Sequence, residues 1–178
     1  MTIIDIAAGA TAFGDGSHPT TQGVLAALKA MDPVIFAPRN ACDMGAGSGI
    51  LTFAVIEKFR CPVIAVDMMA DAVATVKENA ARNHVAALVS ALQADGFDHP
   101  AITTAVPFDL IIMNILAEPL LKLAGDAERH LATDGVLILS GILQWQEAQI
   151  REAYNGLGLE LTFRVVLGDW VTLVWQKP

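Results

Sequence analysis

Four short stretches of this sequence carry residues whose types and spacing can do chemistry. The first is Asp43-Met44-Gly45-Ala46-Gly47-Ser48-Gly49, an acid followed by glycines at alternate positions. With no Cβ at Gly45, Gly47 and Gly49, the chain can turn sharply and pass within contact distance of a ligand. A dinucleotide fingerprint sets its third glycine one place later, where the turn must hold a pyrophosphate. Here the spacing is G-x-G-x-G, with Asp43 two positions ahead of the first glycine. The second is Asp67, which closes Pro62-Val63-Ile64-Ala65-Val66 and can accept hydrogen bonds from both hydroxyls of a ribose. The third, Asp95, is a weaker signal from which a carboxylate could reach an adenine amino group. The fourth is Asn114, the last residue of Phe108-Asp109-Leu110-Ile111-Ile112-Met113-Asn114. Its amide oxygen, or a neighbouring carbonyl, can accept a hydrogen bond from an attacking amine and aim the lone pair.

Each motif has a plainer reading beside the functional one: a tight turn, a solvated strand-end acid, an exposed turn aspartate, a polar strand terminus. Taken together, they favour a nucleoside ligand that lacks phosphate but carries an ammonium, a carboxylate and a sulfonium. S-adenosylmethionine is that ligand. Methyl transfer from it is an in-line displacement, for which positioning supplies much of the rate.

The elements that must hold these residues follow from hydrophobic periodicity. Strands are expected over residues 40–44, 62–67, 88–94, 108–114 and 135–140. Helices are expected over residues 20–31, 50–59, 71–83, 119–131 and about 144–156. The run Phe108–Asn114 is apolar nearly throughout, as a central parallel strand covered by helices on both faces should be. Residues 159–167 and 170–176 read as an antiparallel hairpin around Gly168-Asp169. Alternating strands and helices predict an α/β doubly wound sheet, and the closing hairpin separates it from the dinucleotide fold. Before this core, Phe13 to Thr21 is too rich in turn formers to be strand or helix, and feeds the helix over 20–31.

Composition narrows the function classes. The chain has 178 residues, 54% hydrophobic and 17% charged, which suits one domain with a continuous core. No apolar run reaches the roughly 18 residues needed to cross a bilayer, and no signal peptide is evident, so a cytoplasmic protein without a membrane partner is expected. Eleven Lys plus Arg against nineteen Asp plus Glu give a net charge of −8, which disfavours nucleic acid and could attract a basic protein. Cys42 and Cys61 form no CxxC pair and the four histidines no metal spacing, so no metal is expected. His18 could act as a base or cap its loop.

Quoted together, Ala12-Phe13-Gly14-Asp15-Gly16-Ser17-His18-Pro19-Thr20-Thr21, Asp43 to Leu51, Asn114-Ile115-Leu116-Ala117-Glu118-Pro119-Leu120, Leu139-Ser140-Gly141-Ile142-Leu143 with Gln146, and Gly168-Asp169-Trp170 resemble the PrmA-type methyltransferases of ribosomal large-subunit protein eleven. The resemblance covers the catalytic domain, essentially the whole chain. It implies the class I S-adenosylmethionine-dependent methyltransferase fold: a seven-stranded, mostly parallel sheet with an antiparallel C-terminal hairpin. Residues 1–39 would form a cofactor-covering loop and helix, and residues 40–178 a Rossmann-like core. It further implies S-adenosylmethionine as donor and a protein amine, lysine foremost, as acceptor, a basic ribosomal protein being one candidate; the alternative readings are a small-molecule or nucleic-acid amine, or cofactor binding without catalysis. Cofactor contacts would fall on Thr21, Gly45, Asp67 and Asn114, with Phe13 and Gly14 in the loop over the methionine end. Ile115, Leu116 and Trp145 could line an apolar acceptor site.

Two departures from the family pattern bear on the acceptor. Asp15 stands where the family loop usually has Thr. Only about a dozen residues precede Phe13, so the N-terminal recognition domain of those enzymes is not expected. Relatives that methylate lysines of the electron-transfer flavoprotein beta subunit manage without it.

Overall fold

The computed structural model describes residues 16–178. Pro19, which has no N–H to leave unsatisfied, opens α1 (Pro19–Ala30). His18 sits at its N-cap, with Nδ1 2.8 Å from Thr20 Oγ1. The core then alternates as its periodicity requires: β1 (Ala41–Met44), α2 (Ile50–Phe59), β2 (Val63–Asp67), α3 (Ala70–Arg82) and β3 (Val89–Gln93). It continues through α4 (Pro100–Ala105), β4 (Phe108–Asn114), α5 (Ala117–Lys122), α6 (Ala124–His130), β5 (Leu131–Leu143), α7 (Glu147–Asn155), β6 (Glu160–Leu167) and β7 (Trp170–Gln176).

The seven strands form one sheet in the order β3-β2-β1-β4-β5-β7-β6. The pairings among β3, β2, β1, β4 and β5 are parallel, and those of β7 with β5 and β6 are antiparallel. β6 and β7 meet at Leu167↔Trp170 across the expected Gly168-Asp169 turn, with Gly168 at φ 60°. This is the doubly wound sheet with a closing hairpin that the pattern predicts.

Strand alternation splits the core in two. On β4, Ile111 and Met113 join one cluster with Leu120, Ile150 and Trp175. Leu110 and Ile112 join the other, with Val24 and Leu28 of α1 and Leu51 and Val55 of α2. Ala41 belongs to the second cluster, so Asp43, two residues on, shares the face covered by α1 and α2.

Several elements differ from expectation, with β5 running on to Leu143 past the expected residue 140 and α7 opening at Glu147 rather than at about residue 144. The helix expected over 119–131 is two: α5 ends at Lys122, its cap Leu123 at φ −90° and ψ 2° lies off the helical region, and α6 follows from Ala124. β5 begins at Leu131 rather than residue 135, because Leu131 already pairs with Phe108 ahead of an irregularity. α4 has no counterpart among the expected helices; its six residues carry too little periodicity to register, and Pro100 with His99 as cap starts it.

Candidate functional site

At the carboxyl edge of the sheet the glycine segment turns from β1 into α2. Gly45 and Ala46 both donate backbone N–H groups to the Val66 carbonyl (2.8 and 3.0 Å), which ties the turn to the end of β2. Gly45 has φ 78°, and a Cβ there would stand 2.3 Å from Ile115 Cγ2. A left-handed backbone pressed against the β4 exit admits only glycine without strain. Asn79 of α3, fully buried, donates its Nδ2 to the Ser48 carbonyl at 2.9 Å and holds the loop from behind.

Asp67 ends β2 with both carboxylate oxygens engaged by backbone. Gly47 N–H donates to Oδ2 (3.0 Å) and Met69 N–H to Oδ1 (2.9 Å). A carboxylate offers about four lone-pair positions, so two remain for outside donors. Gly45, Asp67 and Asp95 line one cleft of about 540 Å³, floored by Met44 and Val66 and flanked by Met68, Ile115 and Leu116. Gly47 borders it through Asp67, and Gly49 is the N-cap of α2 at φ 84°. A larger cleft of about 740 Å³, lined by Met31, Ile35, Phe36 and Phe163, contains none of the motif residues.

Asp43 lies under the loop, only 1% exposed. Thr52 of α2 donates its hydroxyl to Asp43 Oδ2 at 2.6 Å, whereas the buried Oδ1 has no donor among the described residues. Burial pushes the carboxyl up to about 6; the Thr52 hydroxyl and backbone N–H pull it back and the Asp67 charge raises it further. An orphaned buried carboxylate oxygen close to a second acid fits a ligand that brings positive charge and hydrogen-bond donors. A phosphate would be repelled here.

Asn114, partly buried at the end of β4, donates Nδ2 to Thr21 Oγ1 at 3.4 Å, and Thr21 is 1% exposed on the first turn of α1. Its Oδ1 accepts no hydrogen bond among the described residues. β1 and β4 are neighbours in register, Met44↔Met113, so Asn114 stands beside the start of the glycine turn. His18 caps α1 and meets Trp170 edge to face at 5.2 Å, an arrangement that serves the loop's anchorage. Leu116 and Trp145 are 68% and 77% exposed at this same edge, while Ile115 is partly buried.

The structure therefore brings Thr21, Asp43, Gly45, Gly47, Gly49, Asp67, Asp95 and Asn114 to one edge. Phe13 and Gly14, with Asp15, lie outside the described residues. Sequence reasoning missed Thr52 and Asn79, each an ordinary helix residue by pattern. Among the described residues no cluster of three His, Cys, Asp or Glu could hold a metal, and no helix is long and apolar enough to cross a membrane.

The chain matches the family profile described as Ribosomal protein L11 methyltransferase (PrmA) over residues 1–178. It is 42% identical over 170 residues to a protein of that name from Rhodopseudomonas palustris, covering 94% of this chain and 57% of the relative. With one from Allorhizobium ampelinum it shares 45% over 175 residues, 97% and 59% of the two chains. The chain thus spans less than two thirds of the length of these curated relatives. A crystal structure of the ribosomal protein L11 methylase of Lactobacillus delbrueckii subsp. bulgaricus superposes with a TM-score of 0.81 at 30% identity, covering 92% of this chain and 81% of that one. The N-methyltransferase NodS of Bradyrhizobium japonicum, solved with S-adenosyl-L-homocysteine, shares the fold at a TM-score of 0.74 and 16% identity, covering 97% and 94%.

Proposed function

The chain belongs to the ribosomal protein L11 methyltransferase family, and from that premise we propose that it is an S-adenosylmethionine-dependent N-methyltransferase acting on a protein amine, a lysine foremost. The observation that carries this reading is the convergence of Asp67, the orphaned Asp43 carboxylate and the Thr21–Asn114 pair around the glycine turn. Asp67 retains two lone-pair positions for ribose hydroxyls. Gly45 clears space against the strand ends, Asp95 lines the same cleft and would serve the adenine amino group, and the α1 N-terminus with Thr21 would present donors to a carboxylate.

When bound, S-adenosylmethionine supplies a methyl group on a sulfonium, open to in-line attack by a neutral amine. Asn114 spends its Nδ2 on Thr21 and so keeps Oδ1 for the amine N–H, which orients the nitrogen lone pair. A lysine ammonium, with a pKa near 10.4 in water, must first lose a proton. Leu116 and Trp145 offer an apolar rim that disfavours the charged form. The net charge of −8 suits a basic protein better than a polynucleotide. A cytoplasmic setting agrees with that acceptor.

The test is transfer of label from S-adenosylmethionine to purified L11 and to a lysate of the source organism. Label on protein lysine, lost in Asn114→Ala, is expected. Label found only on RNA or small molecules would overturn the acceptor class.

A further inference from the structure

We propose that the bulge at Ser140–Gly141, together with Thr172, is a positioning element that sets the orientation of Asn114. This rests on the reading of Asn114 as the group that aims an amine. In the sheet Ser140 pairs with Asn114. On the other side of β5, Leu139 pairs with Leu173 and Ile142 with Val171, so Ser140 and Gly141 together oppose Thr172 alone. A two-against-one bulge re-aims side chains, and such bulges concentrate beside functional sites.

Here the re-aimed group is a hydroxyl. Ser140 and Thr172 are 0% and 2% exposed. Ser140 Oγ donates to the Thr20 carbonyl at 3.0 Å and lies 2.8 Å from Thr172 Oγ1. A serine hydroxyl has one proton, so once Ser140 donates to Thr20, Thr172 must be the donor to Ser140. The resulting chain runs Thr172 to Ser140 to the Thr20 carbonyl, and fixes the first turn of α1 on the sheet. Gly23, one turn along, lets the helix rest on the same hydroxyl, since a Cβ there would fall 2.2 Å from Thr172 Oγ1. The next residue after Thr20 is Thr21, which receives the Asn114 amide. On the backbone side, Gly141 at φ 81° gives room to the Ile115 carbonyl, which would stand 2.1 Å from a Cβ at that position.

Asn114 is thus held from two directions by one bulge: its side chain through Thr20 and Thr21, its following peptide through Gly141. The Leu139-Ser140-Gly141-Ile142-Leu143 motif, which contributes no atom to the cleft lining, acquires a role in this way.

The test compares Ser140→Ala, Thr172→Val and Thr172→Ser at a temperature well below each melting point. In ¹⁵N-labelled protein, the Asn114 side-chain amide signals, assigned with Asn114→Ala, should shift and exchange faster with water in Ser140→Ala and Thr172→Val. Thr172→Ser, which keeps the hydroxyl, should leave them in place. With L11 as acceptor, kcat should fall about tenfold in the first two variants with acceptor KM within about threefold, and the serine variant should stay within about twofold of wild type. Unmoved amide signals in Ser140→Ala and Thr172→Val would overturn the proposal, as would a serine variant as impaired as the valine one. If wild type transfers nothing to L11, the functional reading fails on that acceptor, while the amide signals still decide whether the bulge positions Asn114.

Discussion

Replacing Asp43 by Asn should change stability in a strongly pH-dependent way. Burial holds the Asp43 carboxyl at about 6 against its ordinary value of 3.8, a rise of about 2 units. Between pH ~4 and ~6 the native protein therefore keeps a proton that the unfolded chain has already released. Stability falls across that window as pH rises and stays at the lower value above it. At 1.36 kcal/mol per unit, ionised Asp43 costs about 3 kcal/mol near pH 8. An Asn removes that cost but leaves an amide N–H₂ where Oδ1 had no partner, a penalty of about 1 kcal/mol at any pH. The Asp43→Asn variant should thus be more stable than wild type by about 2 kcal/mol at pH 8 and slightly less stable at pH 4. Urea denaturation at half-unit pH steps measures it, because titrating groups that do not interact with Asp43 cancel in the difference between the two proteins. The variant should also bind S-adenosylhomocysteine at least about tenfold more weakly, having lost a charged acceptor. A stability difference that does not change between pH 4 and pH 8 would refute the buried-charge argument.

Asp67→Asn should weaken S-adenosylhomocysteine about tenfold by calorimetry, because only one acceptor oxygen remains to serve Gly47, Met69 and the ribose. Trp145→Ala, a change at a side chain 77% exposed, should alter stability by less than about 0.5 kcal/mol yet raise the acceptor KM, leaving cofactor affinity at the wild-type value. Glu147 receives Arg164 Nε and Nη2 at 2.8 and 2.6 Å, joining α7 to β6. The Arg164 hydrogen bonds hold its carboxyl below the usual range, so its contribution is present above pH ~4.5 and is lost as pH falls. Glu147→Gln should lower stability by about 1 kcal/mol at pH 7, Arg164 being 42% exposed and screened, and by less at pH 3 in the same denaturation series.

Much of the site was legible along the chain because its members are local. The spacing from Asp43 to Gly49 is a property of consecutive residues, and a glycine at alternate positions after a buried strand constrains the backbone whatever lies around it. Asp67 and Asn114 were legible because each is the polar terminus of an apolar run, and in a parallel sheet such termini collect at one edge. The same logic found all seven strands, while α4 and the break at Leu123 escaped it, being shorter than the window over which a helical period registers.

What the sequence by itself determined is the alternation of elements and the glycine turn, since both follow from local spacing. Only the tertiary structure decided which side chains those residues lean on. Thr52 reaches Asp43 across a turn, Asn79 reaches Ser48 from thirty-one residues away, and Ser140 reaches the Thr20 carbonyl across one hundred and twenty. Such contacts join elements whose separation along the chain carries no periodic signal. They exist because strand order sets β4 between β1 and β5, with β7 beyond β5 and α1 packed across β4, β5 and β7, and that order is a property of the packed sheet.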